Sequence, residues 1–346
     1  MIELKNEQYG KAKELVTSHN ELSVFTVLEG LMEGEVHVDS AEHPQVLMIE
    51  SSETTLLAGR ADNDAFNQAL TESLGFWEQV TPDNEEWRLK IPEVHPNKYI
   101  REYTRHRYIV TRETFTPIEL SLPEGYVPEK IDLPELRKKS YKNADKIYKW
   151  AAEWGSDEHF AIAGCGCYIR HLDKIVSWSL SDCYNGGQVA IGILTARSYR
   201  KMGLAKQVVS AVVQQCWDKG YGSVEWLCVS TNRGSRAVAE RVGFMQADTY
   251  PSFTSYAPIE NFADLNDDGW YEWGAYLQQA SQKEPRLYLE CLHCYVKANA
   301  VEKAQEIVQE MTKAEIECDL EELNGAIAYY RSEGLCSAFK APEWTI

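Results

Sequence analysis

Short apolar runs broken by polar turns fill the first three quarters of the chain, and helical spacing alone governs the last quarter. Over residues 1–112 the pieces 24–28, 35–38, 46–49, 55–58, 87–91 and 108–111 read as strands, being short and rich in Val, Ile, Leu and aromatic residues. Helices are expected at 6–18 and 63–74, so this region reads as α+β. Residues 116–134 hold Pro117, Pro123, Pro128 and Pro134 and read as a linker running into a first strand. A helical stretch at 136–154 precedes strands at 161–170 and 174–182, joined by a hairpin signal from His171 to Lys174. Asn185, Gly186 and Gly187 then turn the chain into an apolar run at 189–194. Toward the end, helices are expected at 270–282, 285–297, 301–312 and 320–332, with Pro285 suited to the first turn of its helix.

The densest chemical signal lies between residues 186 and 244. The run 189–194 leads through Thr195 into Arg200, Gly203 and Ala205, spaced Arg-x-x-Gly-x-Ala. Leu204, Val208, Val212 and Trp217 then keep helical spacing until Gly220. A second apolar run at 224–229 precedes Asn232 and Ser235, and the helix after them closes on Gly243 and Phe244. The order is strand, loop, helix, strand, loop, helix. Backbone N–H groups opening a helix carry positive partial charge and bind phosphates. Gly203 has no side chain to block a diphosphate, and Ala205 is nearly as small. No Gly-x-x-x-x-Gly-Lys-Ser/Thr is present, nor a Gly-x-Gly-x-x-Gly after a strand, which argues against P-loop nucleotidases and dinucleotide folds.

These linked motifs resemble the GCN5-related N-acetyltransferase (GNAT) superfamily, whose pyrophosphate loop is Arg/Gln-x-x-Gly-x-Gly/Ala and whose second motif joins Asn-x-x-Ala/Ser to a terminal Gly-Phe. The resemblance implies an α+β GNAT fold, a mixed twisted sheet flanked by helices, with acetyl-CoA as cofactor. Carried over, it assigns the pyrophosphate to Arg200, Lys201, Met202, Gly203, Leu204, Ala205 and Lys206. The pantetheine arm falls to Ile193, Leu194 and Thr195, with the Leu194 N–H contacting the acetyl carbonyl, while Asn232 and Ser235 carry the second motif. Stretches around Phe25, Val36, Leu57 and Asp64 resemble the zwittermicin A resistance branch, in which a degenerate half precedes the cofactor-binding half. The implied domains are a degenerate 1–115, a cofactor-binding 116–258 and an all-helical extension at 259–346. Residues 285–304 resemble a tetratricopeptide-type helix pair, with Ala304 at the close-packing site. One pair buries too little surface alone, so the tail is expected to pack on the rest of the chain, on a second copy in a homodimer, or on a protein partner.

Composition narrows the partners. A net charge of -18 opposes nucleic acid, whose phosphates would be repelled, and fits a small cationic amine. Against that background Arg197, Arg200, Lys201 and Lys206 cluster at the anion loop. Nine cysteines without a disulfide framework or a signal peptide point to a reducing cytoplasm. No run is long enough to cross a membrane. Cys291 and Cys294 have metal-ligand spacing but sit in a helical pattern with no second pair nearby, so buried thiols are expected. Asp264, Asn266, Asp268 and Gly269 match the start of a calcium loop, but its twelfth position is Ala275 rather than Glu. An acidic turn capping the following helix is the simpler reading, and no metal is expected.

Acetyl transfer to an amine requires a positioned thioester, stabilisation of the charge developing on its carbonyl oxygen, and removal of a proton from the amine. Relatives often carry an acid just before the Ile-Gly pair of the cofactor strand, and a Tyr seven residues after the Asn. Here those places hold Ala190 and Ala239. Asp182, Glu225 and Tyr256 are candidate substitutes, and spacing selects none of them. Cys183 leaves an acyl-cysteine route open, though a buried thiol is the simpler role. The expectation is an acetyl-CoA-dependent N-acetyltransferase acting on a primary amine of a small molecule, for example an amino-polyol antibiotic, by direct attack in a ternary complex. The alternatives are an acyl-CoA-binding sensor and an interaction protein with reduced or no transferase activity.

Overall fold

The computed structural model describes residues 1–98, 100–254 and 265–344. Its first part contains β1 (Ile2–Glu3), α1 (Tyr9–Lys13), α2 (Leu22–Leu28), β2 (Glu35–Val38), β3 (Val46–Glu50), β4 (Thr55–Gly59), α3 (Asp64–Ser73), β5 (Val80–Pro82), α4 (Glu85–Val94) and β6 (Arg101–Thr111). There follow β7 (Tyr126–Lys130), α5 (Leu133–Arg137), α6 (Ala144–Ala151), α7 (Asp157–Ala163), β8 (Gly166–His171), β9 (Lys174–Asn185), β10 (Gln188–Thr195), α8 (Leu204–Asp218), β11 (Ser223–Val229), α9 (Arg233–Val242) and β12 (Met245–Thr254). These strands form one twelve-stranded mixed sheet in the order β1-β2-β3-β4-β5-β12-β6-β11-β10-β9-β8-β7. This sheet and its helices form one compact unit of residues 1–98, 102–230 and 234–254.

Both faces of the sheet are covered around β10. On one side Leu204, Val208 and Val212 of α8 close over Val189, Ile191, Val224 and Trp226. On the other side Leu22 of α2 meets Cys183 and Ala190, and α6 brings Ile147 and Ala151 against Trp178 and Leu180. Burial on both faces explains why the central strands read as nearly continuous apolar runs.

In the second unit the helices are α10 (Asp267–Ser281), α11 (Tyr288–Lys297), α12 (Val301–Lys313) and α13 (Leu320–Ser332), with α11 packed against both α10 and α12. Asn266 caps α10 by accepting the Gly269 N–H at 2.9 Å, as the capping reading of that acidic turn requires. Asp264 lies outside the described residues. Cys291 and Cys294 are fully buried in α11. Lys297 is buried with its ammonium 4.3 Å from the Trp270 ring and 4.9 Å from that of Tyr330. Among the described residues no helix is long and apolar enough to cross a membrane, and no group of three His, Cys, Asp or Glu is placed to hold a metal ion.

Several elements differ from the sequence expectation. Residues 24–28 belong to helix α2, not a strand. Their β-branched side chains favour strands locally, but burial of nearly the whole segment decides the outcome, and Thr26 satisfies its hydroxyl on the Leu22 and Tyr184 carbonyls. Residues 87–91 lie inside α4, started by the Asn84 side chain accepting from the Trp87 N–H. The stretch 136–154 breaks into α5 and α6, with Asn143 in the left-handed region at φ 70° between them. Ser156 caps α7, so residues 161–163 end a helix and the strand begins only at Gly166. The opening helix shrinks to a 3-10 turn at Asn6–Gln8 and the five residues of α1.

Candidate active site

β10 and β11 run side by side only at their beginnings. Gln188, Val189 and Ala190 pair in parallel with Ser223, Val224 and Glu225, and among the described residues the ladder ends there. β9 stays paired to β10 as far as Thr195, and β6 stays paired to β11 as far as Val229. The two strands therefore part beyond Ala190 and Glu225. Among the described residues the edge of 191–195 that faces β11 has no strand pairing, so its backbone groups other than the Thr195 carbonyl can serve a ligand. The β9–β10 register slips between Ala190 and Ile191, so that Ala190 pairs with Cys183 and Ile191 with Ser181. Ile193 and Thr195 are half-buried and Leu194 is exposed. The Ala196 N–H donates to the Val176 carbonyl, so in the same register the Leu194 N–H turns toward Trp178 of β9, and the expected Leu194 contact does not fall on the open edge.

Beyond Thr195 the chain makes one 3-10 turn, Arg197–Tyr199, and enters the basic loop. Arg200 folds back so that its Nε donates to the Thr195 carbonyl at 3.2 Å. Lys201 and Gly203 both adopt left-handed φ, at 63° and 74°. Such a backbone turns successive N–H groups toward one side as a shallow anion nest. Gly203 immediately precedes α8, and no side chain caps that helix. The N–H groups of Leu204, Ala205 and Lys206 in its first turn thus remain for an external acceptor. A Cβ added at Gly203 would be strained by its φ and would meet the Lys206 side chain at 3.2 Å. Lys201 and Met202 are exposed, while Arg200, Ala205 and Lys206 are half-buried. These residues fit the diphosphate of a coenzyme A molecule, and the open edge of β10 fits an amide-bearing arm.

Asn232 is buried in the turn between β11 and α9. Ser235 has a structural duty: its Oγ accepts the Trp226 indole N–H at 2.9 Å and ties α9 to β11. Ala239 is fully buried in the core under the sheet, where a tyrosine would have no room.

The sequence candidates for proton transfer separate clearly. Tyr256 lies outside the described residues. Asp182 is buried and accepts the Trp150 indole N–H at 2.5 Å. Glu225 is buried at the point where the strands part, as the pairing partner of Ala190. Its Oε2 accepts from Arg107 Nε at 2.5 Å and its Oε1 from the Leu22 N–H at 3.3 Å. Burial raises its pKa to about 7 despite the Arg107 charge, with the neighbouring Glu21 adding to the rise. Cys183 is also buried here, and burial together with Asp182, Glu225 and Glu53 pushes its thiol well above the ordinary range. That disfavours the thiolate an acyl-cysteine route would need.

The sequence reading missed the charged layer around Glu225. Arg105 and Arg107 alternate on β6, and both are buried. Arg105 donates to the Glu53 carboxylate at 2.8 Å, and Arg107 to Asp248 of β12 at 3.2 Å. Glu21 accepts from the Tyr250 hydroxyl and lies 3.5 Å from His19. Burial alone would raise the Glu21 pKa, but Arg105, His19 and Tyr250 hold it at about 2. The segment bearing Glu21 and Leu22 is pinned by Asp83, whose carboxylate accepts from the N–H groups of Thr17, Ser18 and His19. Two arginines alternating within a strand were the available signal, because a strand with one face toward the core normally carries apolar residues there.

A family model described as GNAT acetyltransferase matches residues 13–253. Among solved structures, a GCN5-related N-acetyltransferase-like protein from Streptococcus suis is similar at a TM-score of 0.57 and 23% identity, covering 72% of this chain and 98% of its own. A tandem GNAT protein from the clavulanic acid biosynthesis pathway is similar at a TM-score of 0.50 and 10% identity, covering 73% of this chain and 97% of its own. At these identities the likeness is one of fold. No curated protein matches the chain.

Proposed function

The chain belongs to the GNAT acetyltransferase family, and on that premise we propose that it transfers the acetyl group of acetyl-CoA to a primary amine of a small molecule, with Glu225 as the general base. The observation that carries this reading is the buried carboxylate of Glu225 at the apex of the parted strands, with its pKa raised to about 7.

Bound acetyl-CoA would supply the activated acetyl thioester. Arg200, Lys201, Gly203 and the first turn of α8 would hold its diphosphate. Backbone groups of Ile193 and Thr195, which face the open edge, would align its pantetheine arm, and an N–H of that edge would serve the acetyl carbonyl. An alkyl amine with a pKa near 10 is neutral in only about one molecule in a thousand at pH 7. Glu225 would accept the surplus proton, directly or through one water, and a base titrating near the working pH suits that task. Attack would then be direct, and the buried, high-pKa Cys183 takes no part.

The sensor reading drew its force from the missing carboxylate at Ala190. Glu225 supplies a carboxylate beside that position, which favours a working transferase. The resemblance to the zwittermicin A resistance branch makes an amino-polyol a natural acceptor to try. Release of the CoA thiol from acetyl-CoA, measured with spermidine, glucosamine, lysine and an amino-polyol, tests the proposal. Turnover with at least one amine is expected, and tight CoA binding without turnover on any would favour the sensor.

A further inference from the structure

Four adjacent strands contribute to one linked group of residues. Asp248 stands on β12, Arg107 on β6, Glu225 on β11 and Ala190 on β10. The guanidinium of Arg107 is divided between its two acidic neighbours, Nε to Glu225 at 2.5 Å and a terminal nitrogen to Asp248 at 3.2 Å. Asp248 is itself anchored, accepting from the Asn20 side chain at 2.9 Å. A guanidinium is a rigid planar fork, so fixing one prong fixes the direction of the other.

We propose that Asp248 is a positioning residue for Glu225, acting through Arg107. It holds the guanidinium over β6 and takes up part of its charge, so that Arg107 orients the Glu225 carboxylate without locking it permanently in the ionised form. This rests on the reading of Glu225 as the base, but it can fail separately. Among the described residues these groups face Glu225. Arg107 comes from β6, Glu21 and the Leu22 N–H from the segment entering α2, Cys183 from β9 and Ala190 from β10. Glu21 is held ionised by Arg105, His19 and Tyr250, and Cys183 is held neutral, so neither changes charge over the neutral range. Arg107 with its second partner Asp248 is left as the setting that governs Glu225.

The test uses the full chain, labelled with carbon-13 at the glutamate carboxyl groups. The Glu225 signal is identified by its loss in Glu225→Gln and titrated by NMR. In the parent protein its midpoint is expected near neutral. In Asp248→Asn, which leaves the whole Arg107 charge to Glu225, the midpoint should fall by about one pH unit. In Arg107→Met it should rise, and Asp248→Glu should restore the parent value. Opposite shifts in the two variants support the proposal, and an unmoved midpoint in folded Asp248→Asn overturns it. If Asp248→Asn fails to fold, the rise in Arg107→Met and the parent-like midpoint of Asp248→Glu decide in its place, and a failure of either overturns the proposal. With an amine that turns over, the acid limb of kcat/KM should follow the same shifts while KM for acetyl-CoA stays unchanged. Should Glu225→Gln keep full turnover, the base reading falls even where the midpoints move as stated.

Discussion

Ala190 and Glu225 are cross-strand partners in the parallel pairing of β10 and β11, so their side chains leave the sheet on the same face. The position where relatives often carry an acid is alanine here, and the next strand supplies a carboxylate about 5 Å away, one strand spacing. It stands at the last paired residue before the strands part, where an arm threaded along β10 would bring its reactive end.

Glu225→Gln keeps the shape and the Arg107 hydrogen bond but cannot take a proton. Its kcat at pH 7 should fall by about 10²- to 10³-fold, with KM for acetyl-CoA nearly constant. Thiol release under saturating acetyl-CoA measures this. An unchanged kcat would assign Glu225 to structure alone.

The same residue makes a stability prediction. Its folded pKa of about 7 lies above the ordinary carboxylate value of 4.5. A raised pKa means the folded state favours the protonated form. That contribution is complete below the unfolded value and is lost as pH rises through about 7. A difference of this size corresponds to about 3 kcal/mol. Denaturant unfolding of the parent and of Glu225→Gln at pH 5, 6, 7 and 8 should show the variant gaining on the parent by about that much across the range. Glu21 has the opposite sign, since its stabilising share is present above 4.5 and is lost only as pH falls toward 2. It therefore leaves this window undisturbed. A stability gap independent of pH would contradict the raised pKa.

The loop that enters α8 was legible because its signals are local. The nest at Lys201 and Gly203 and the apolar spacing of α8 each lie within a few residues of sequence. Gly243 was legible for the same reason: at φ 98° it turns α9 into β12, and a Cβ there would meet the Thr114 carbonyl oxygen at 2.1 Å. The surroundings of Glu225 were not legible. Arg107 reaches Glu225 across 118 positions and Leu22 reaches it across 203, distances over which periodicity in one sequence carries no information. Asp182 and Glu225 looked equivalent along the chain, and only the register of β10 with β9 and β11 separates them. Helix α2 was misread because its β-branched residues obey burial on the sheet rather than their own local preference.

Gly203→Glu should lose at least about a hundredfold in CoA affinity, because it sets a negative charge and bulk where the nest would hold a diphosphate. Gly203→Ala separates backbone strain from charge. A left-handed φ costs a non-glycine residue about 1–2 kcal/mol, so its loss of stability should be comparable in the two variants while the loss of binding is much larger for Glu. Calorimetric titration with CoA, alongside thermal unfolding, checks both. Unchanged affinity in Gly203→Glu would place the diphosphate elsewhere.

The pairing of Ala190 with Glu225 allows the carboxylate to be moved back to β10. Glu225→Ala should be nearly inactive. Adding Ala190→Glu returns an acid to the same face, one strand away, with the truncated position 225 providing some of the space it needs. Ala190 packs against Leu22 and Cys183, so strain is expected and recovery should be partial, about tenfold over Glu225→Ala. The returned carboxylate stands farther from Arg107, so its pH profile should rise at a higher pH than in the parent. Ala190→Glu alone puts two acids side by side and should raise the pKa of one of them further. Turnover against pH in the four proteins decides the matter. If the double variant is folded and no faster than Glu225→Ala, a carboxylate at the parting of the strands is not sufficient for the chemistry, and the orientation imposed by Arg107 must be essential.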